Sequence, residues 1–143
     1  MPTLHYAIQT RFVDVDGFGH VNNAAFFSYL ENAREELYRT DEALSGSFGT
    51  SRFVLVSHQE IEYRSPLRFS AEAVSVAAWV ARIGRSSFDL NYRVCSGDGR
   101  VEYAIANTGM VVTYPVDGRP TALSDSERVA LERFSGEPVS FRA

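Results

Sequence analysis

The segment Asp14-Val15-Asp16-Gly17-Phe18-Gly19-His20-Val21-Asn22-Asn23 holds two carboxylates, one imidazole, two glycines and two amides. A carboxylate in such a setting can attack an electrophilic carbon or take a proton from water. Asparagine is a good helix N-cap. The first N–H groups of a helix lack intrahelical partners and carry the positive end of its dipole, so they can stabilise an oxyanion forming on a substrate carbonyl. A carboxylate beside such donors suits hydrolysis of an acyl group. The same residue types also build turns. Asp14 and Asp16 could shape the loop, Asn22 could cap the helix, and His20 could be an ordinary loop residue. Residue types alone leave both readings open. A calcium loop is discounted, because the further spaced acidic ligands and the terminal glutamate are absent.

The elements around this segment follow from hydrophobic periodicity. Residues 4–13 alternate partially and read as a strand. The segment 14–23 is a loop. Phe26, Leu30, Ala33 and Leu37 recur at spacings of four, three and four, which predicts a helix over 23–39 with one apolar face. Residues 40–51 are rich in Ser, Gly and Thr and read as a loop with one helical turn near 42–44. Strands are expected at 53–63, stopped by Ser65-Pro66, and at 71–83, 86–95 and 100–114. Gly97-Asp98-Gly99 is a hairpin turn and Gly109 a candidate bulge. A short helix is expected over 124–134. One strand, a long helix and four more strands suggest an α+β fold with a mostly antiparallel sheet. A curved sheet wrapped around the helix would cover its apolar face.

At 143 residues the chain is expected to form one domain, 1–143, with a real core. Hydrophobic residues make up 45% of it, which fits a globular protein. All 14 basic residues are arginine. Without a lysine amine, Schiff-base chemistry, pyridoxal phosphate attachment and a phosphate-loop lysine are excluded. A net charge of -4 argues against nucleic acid as a partner. Cys95 is the only cysteine, so no internal disulfide forms, and its alternating strand context favours a structural role. No stretch approaches the roughly 18 apolar residues needed to cross a membrane. The first residues show no basic start followed by an apolar block. The expectation is a cytoplasmic protein with no membrane partner. Three scattered histidines and one cysteine offer no metal site.

The run Asp-x-Asp-x-x-Gly-His-Val-Asn-Asn, followed by Phe26-Phe27 and Tyr29-Leu30-Glu31, resembles the signature of the 4-hydroxybenzoyl-CoA thioesterase family of hotdog-fold acyl-CoA thioesterases. The resemblance continues through Glu62-Tyr63-Arg64-Ser65-Pro66-Leu67, Ile83-Gly84-Arg85-Ser86-Ser87-Phe88 and Gly118-Arg119-Pro120, and spans roughly residues 5–131. It implies a five-stranded antiparallel sheet around one long helix, hydrolysis of a thioester to a carboxylic acid and a thiol, and no cofactor. The family's catalytic aspartate matches Asp16, its histidine matches His20, and its oxyanion-donating N–H falls at about Asn23. Hotdog domains pair through their sheets, so a homodimer or homotetramer with sites at the interface is implied. Fatty acyl-carrier-protein thioesterases resemble the same stretch, which leaves acyl-CoA and acyl-ACP both open as substrate. Ala71-Glu72 stands where the family often has Gly-Asp.

Substrate contacts are expected from Phe18 and Phe27 in the acyl pocket, and from His58, Arg64, Arg85 and Ser86 near the second strand and the turn between the third and fourth. The pairs Arg64/Arg68 and Arg82/Arg85 are the candidate phosphate clamps, Arg64 and Arg85 foremost. Solvated surface charge is the plainer role for all four. Two other functions fit the same fold. One is a non-catalytic domain that binds acyl-CoA. The other is a hydratase, which would need a histidine and an aspartate on different loops.

Overall fold

The computed structural model describes residues 3–142. In chain order they form β1 (Leu4–Ile8), a short 3-10 turn (Phe12–Asp14), α1 (Asn23–Arg39), α2 (Glu42–Ser47), β2 (Phe53–Tyr63), β3 (Val74–Ile83), β4 (Ser87–Ser96), β5 (Glu102–Thr113) and α3 (Asp125–Glu132). The strands make one antiparallel sheet in the order β1-β3-β4-β5-β2.

Period-two alternation sets the inner face of this sheet. Val74, Val76, Ala78 and Val80 of β3, and Phe88, Leu90, Tyr92 and Val94 of β4, are all buried, as the pattern requires. Ala104, Ala106, Met110 and Val112 extend the same layer across β5. Helix α1 lays Phe26, Leu30, Ala33 and Leu37 onto it and packs against β1 and β3. Each such large apolar side chain contributes about 1.5–3 kcal/mol by leaving water. This packing fixes where the N-terminus of α1 points.

Three expectations change, the smallest being that β3 begins at Val74 rather than at 71. The first strand stops at Ile8 instead of running to residue 13. Gln9 Nε2 and Thr10 Oγ1 donate to the carbonyl of Ser70, and the chain turns there into the 3-10 segment. Register shifts lie at Val56/His58, Val80/Arg82 and Val94/Cys95, and the one opposite Gly109 is on β2. Ser57 is the extra residue, between Val56 and His58, and an added Cβ at Gly109 would sit 3.2 Å from its Oγ.

The chain beyond α3 crosses the outer face of the sheet as a strap. Val80 N–H donates to Phe134 O at 2.8 Å, and Gly136 N–H returns to Val80 O at 3.0 Å. Trp79 Nε1–H donates to Glu137 O at 2.7 Å, and Val139 N–H to Asn91 Oδ1 at 2.7 Å. At its far end the carbonyl of Ser140 accepts from Arg64 Nη2 at 3.1 Å. A Cβ at Gly136 would lie 2.5 Å from Trp79 Cδ1. Gly136→Ala must therefore move the strap or the indole. The expected cost is about 1–3 kcal/mol, typical of overpacking. It should read as a lower urea midpoint with an unchanged slope, and an unshifted midpoint would contradict the packing described.

Candidate active site

The loop before α1 is a small hairpin closed onto the helix start. Asn22 N–H donates to Asp14 O at 2.7 Å, Val15 pairs with Val21, and Asp16 N–H donates to His20 O at 2.9 Å. Gly19 N–H closes the turn on Asp16 O at 3.1 Å, with Gly19 at φ +80, a left-handed conformation that suits glycine. On its other side the loop is tied to the segment after β2. Val21 N–H donates to Leu67 O at 2.7 Å, and His20 bridges to Arg68.

Asn22 is the N-cap, as expected, and its Oδ1 accepts from Ala24 N–H at 2.8 Å. Among the described residues the N–H of Asn23 has no hydrogen-bond partner. Asn23 lines a cleft of about 590 Å³ together with Asp16, Phe18, His20, Phe26 and Tyr63, with Val21 and the chain from Arg64 to Leu67 forming the rest. One Asp16 oxygen, Oδ1, accepts the N–H of Phe18 at 2.9 Å. The imidazole of His20 makes no hydrogen bond among the described residues. Asp16, His20 and the first helical residue, whose N–H is unpaired among the described residues, thus line one cavity.

Asp14 has a different environment. It is 6% exposed. Arg11 Nη2 reaches Oδ1 at 2.9 Å and Arg11 Nε reaches Oδ2 at 3.2 Å, while Tyr29 Oη–H donates to Oδ2 at 2.7 Å. Burial works against its charge, but the hydrogen bonds from Arg11 and Tyr29 outweigh burial and hold the carboxyl below the usual range. Tyr29 shifts the other way, raised by its own burial and then by Asp14. Residue types could not separate the two aspartates in this way.

Of the expected contacts, Phe18 and Arg64 line the cleft and Phe27 does not. Phe27 is half-buried against the core edge, and Phe26, one helical step away, faces the cleft. Arg64 is present but occupied. Its Nε donates to Glu62 at 2.6 Å, and a second nitrogen contacts Glu102, which Arg93 also holds. Arg82 is likewise bound to Asp89. Arg68 and Arg85 form no ion pair among the described residues. His58 is exposed in mid-β2, opposite Gly109. Arg85 and Ser86 sit at the other end of the sheet. Ser87 is level with Val111, and Val111 with Leu55, eight residues along β2 from Tyr63, or roughly 26 Å at strand rise. Within one chain, then, His58, Arg85 and Ser86 lie away from the cleft.

Tyr63 went unrecognised as a site residue. Its hydroxyl donates to Asn23 O at 2.8 Å, and its ring meets Phe26 edge-on at 5.1 Å. The only local hint was its place at the end of a strand just before Arg64-Ser65-Pro66. Cys95 is half-buried on the outer face, with its thiol raised by burial and then by Glu102, which suits the structural role expected of it. Among the described residues no three His, Cys, Asp or Glu side chains gather as a metal site, and no helix is long and apolar enough to cross a membrane.

Comparison with known proteins adds a family. The thioesterase-like superfamily profile matches residues 10–131. The chain belongs to the thioesterase-like superfamily. Comparison with curated proteins gave no significant match. A Thermus thermophilus thioesterase solved with coenzyme A and zinc is similar at 28% identity and a TM-score of 0.76, over 94% of this chain and 95% of that one. The PA5185 protein of Pseudomonas aeruginosa is similar at 25% identity and a TM-score of 0.83, over 95% and 94%. A 1,4-dihydroxy-2-naphthoyl-CoA thioesterase from Synechocystis shares the fold, at 19% identity and a TM-score of 0.79, over 91% and 96%. The chain thus shares a superfamily with thioesterases, on a five-stranded antiparallel sheet with helices.

The Asp14 environment fixes the sign of a pH effect. A carboxyl lowered on folding stabilises fully above its unfolded value, and that contribution is lost as pH falls through its folded value. Asp14→Asn should therefore be less stable than the parent at pH 7, with a gap that closes as pH drops below the ordinary carboxylate range. Denaturant unfolding at pH 7, 4 and 2.5 measures this, and a pH-independent gap would refute it.

Proposed function

We propose that the protein is a single-domain hotdog acyl-CoA thioesterase of the 4-hydroxybenzoyl-CoA thioesterase type. The observation that carries the proposal is the meeting of Asp16, His20 and the unpartnered N–H of Asn23 in one cleft. A thioester carbonyl bound with its oxygen toward Asn23 N–H is polarised by that donor and by the dipole of a 17-residue helix. Asp16 then either attacks the carbonyl carbon, forming an anhydride that water opens, or takes a proton from water as it attacks. In both routes the C–S bond breaks, the thiolate leaves and is protonated, and the acid is released. His20 orients the loop and the attacking water. Phe18, Phe26 and Tyr63 give the acyl side an aromatic wall.

Coenzyme A is the favoured carrier, in line with the coenzyme A held by the Thermus thermophilus relative. Its phosphates need cations. Arg64 is neutralised by Glu62 and Glu102, so Arg68, beside His20 and free of ion pairs, is the better placed of the first pair. Arg85 reaches the site through a second copy. Strand β2 is a sheet edge of 11 residues, with Phe53, Leu55 and Val56 exposed on it. A long, exposed, apolar edge invites pairing with another strand. Antiparallel β2–β2 pairing would bring the partner's Phe53 end beside Tyr63, and with it the turn of Arg85 and Ser86. His58 would lie near the middle of that seam. This favours a homodimer with composite sites.

Asp16→Asn should lower kcat/KM for the best acyl-CoA by about 10²–10⁴-fold, the range for removing an acid–base group, with the dimer intact by sedimentation. Thiol release from a panel of acyl-CoA thioesters measures it, and parent-like turnover would sink the assignment. Arg68→Ala should raise KM for acyl-CoA more than Arg64→Ala does. The reverse order would restore Arg64 as the clamp. Saturable acyl-CoA binding without thiol release would instead indicate a non-catalytic acyl-CoA-binding domain.

A further inference from the structure

We propose that Asp14, Arg11 and Tyr29 are positioning residues for this centre, a clamp that sets where the Asp16 loop sits against the N-terminus of α1. The proposal rests on the thioesterase reading and extends it to side chains outside the cleft.

Asp14 grips the helix at two points. Its backbone carbonyl accepts the N–H of Asn22, the N-cap, at 2.7 Å. Its carboxylate accepts Tyr29 Oη–H at 2.7 Å. Tyr29 lies seven residues beyond Asn22, roughly 10 Å along the helix at 1.5 Å per residue. Two points of attachment fix the angle of the loop as well as its position. Arg11 completes the clamp from the loop's other flank, with side-chain bonds of 2.9 and 3.2 Å and a backbone N–H at 3.3 Å from Oδ2. The carboxylate is thus held by the chain before the loop and by the helix after it.

The reacting groups fall on either side of this joint. Asp16 and His20 ride on the loop, two rungs away through the Val15–Val21 bridge and the Asp16–His20 bond. The oxyanion donor, Asn23 N–H, belongs to the helix. Their separation is therefore transmitted through Asp14. An apolar residue could fill a buried site without the desolvation cost that a carboxylate carries there. Directional bonds to two different segments are what a carboxylate adds. Burial and Asp14 together keep the Tyr29 phenol protonated, so the clamp holds one protonation state across the neutral range.

The test uses the full-length protein and three variants, Tyr29→Phe, Asp14→Asn and the double. Tyr29→Phe keeps the ring in the core and removes only the hydroxyl, so it covers the case in which Asp14→Asn folds poorly. Displacement of reacting groups by a fraction of an ångström lowers the rate without weakening binding. We expect kcat to fall about tenfold in each single variant, below the roughly 10²-fold cost of a full 1 Å misplacement, with KM within about twofold. The double variant should be no slower than Asp14→Asn alone, because both cut the same tie. Amide hydrogen exchange at Asn22 and Asp16 should rise in each, while Leu30–Leu37 stay protected. A purely structural role predicts lower stability with parent-like kcat where the variants are folded. That result overturns the proposal, as do kcat losses that add in the double variant and unchanged exchange. Failure of the thioesterase reading would look different. Asp16→Asn would then turn over like the parent, or no acyl-CoA would release thiol, while exchange at Asn22 and Asp16 would still show whether the clamp holds the loop.

Discussion

A helix cannot bond its own first N–H groups, and the structure before α1 is an answer to that constraint. Asn22 Oδ1 takes the N–H of Ala24, and Asp14 O takes the N–H of Asn22. The N–H of Asn23 is left unpaired among the described residues, and Asn23 lines a cleft. Leaving one donor unmatched is tolerable only where water or a ligand can reach it. Aiming it reproducibly requires a rigid helix, and Phe26, Leu30, Ala33 and Leu37 provide that by locking α1 to the sheet. The apolar core and the unpaired donor are thus two ends of one element.

Legibility in the sequence tracked locality. Helix α1 begins and ends where its apolar spacing and its asparagine cap place it, and β2 likewise matches its expected span. Alternation carries the first strand on to residue 13, but the contact that ends it, Thr10 with Ser70, lies 60 residues away in the chain. Gly109 suggests a bulge because a glycine is visible in the sequence, while the extra residue opposite it, Ser57, is visible only in the pairing. That Asp16, His20 and Asn23 line one cleft was legible because one short segment carries all three. Tyr63 could not, since its bond to Asn23 depends on where β2 ends relative to α1. The same applies to Phe27 and Phe26: one helical step, about 100°, decides which faces the cleft.

The charge pattern sharpens in the same way. Fourteen arginines without a lysine point to guanidinium groups for any bound phosphate. Most of them are already committed within the chain. Arg64 is bound by Glu62 and Glu102, Arg82 by Asp89, and Arg11 by Asp14. A guanidinium shared between two carboxylates presents little net positive charge to an incoming anion. Against a net charge of -4, attraction must come from cations without such partners, and Arg68 beside His20 is one. Counting arginines overstates the attraction; counting those without a carboxylate locates it.

The two aspartates show how one fold gives the same side chain two different environments. They stand two residues apart with identical side chains. Asp14 is encircled by donors, which lowers its affinity for a proton and engages both its oxygens. A carboxylate in that state is a poor base and a poor nucleophile, because the lone pairs it would use are already bonded. Asp16 has a single N–H, from Phe18, on one oxygen, and it stands half-exposed on the cleft. It keeps lone pairs for a substrate or a water. The 3-10 turn that ends at Asp14 makes this possible. In a continued strand, residues two apart would share one face, and both carboxylates would be buried or both exposed. By breaking the strand at Ile8 and coiling through Asp14, the chain sends the first aspartate inward as an anchor and leaves the second at the surface of the cleft it anchors.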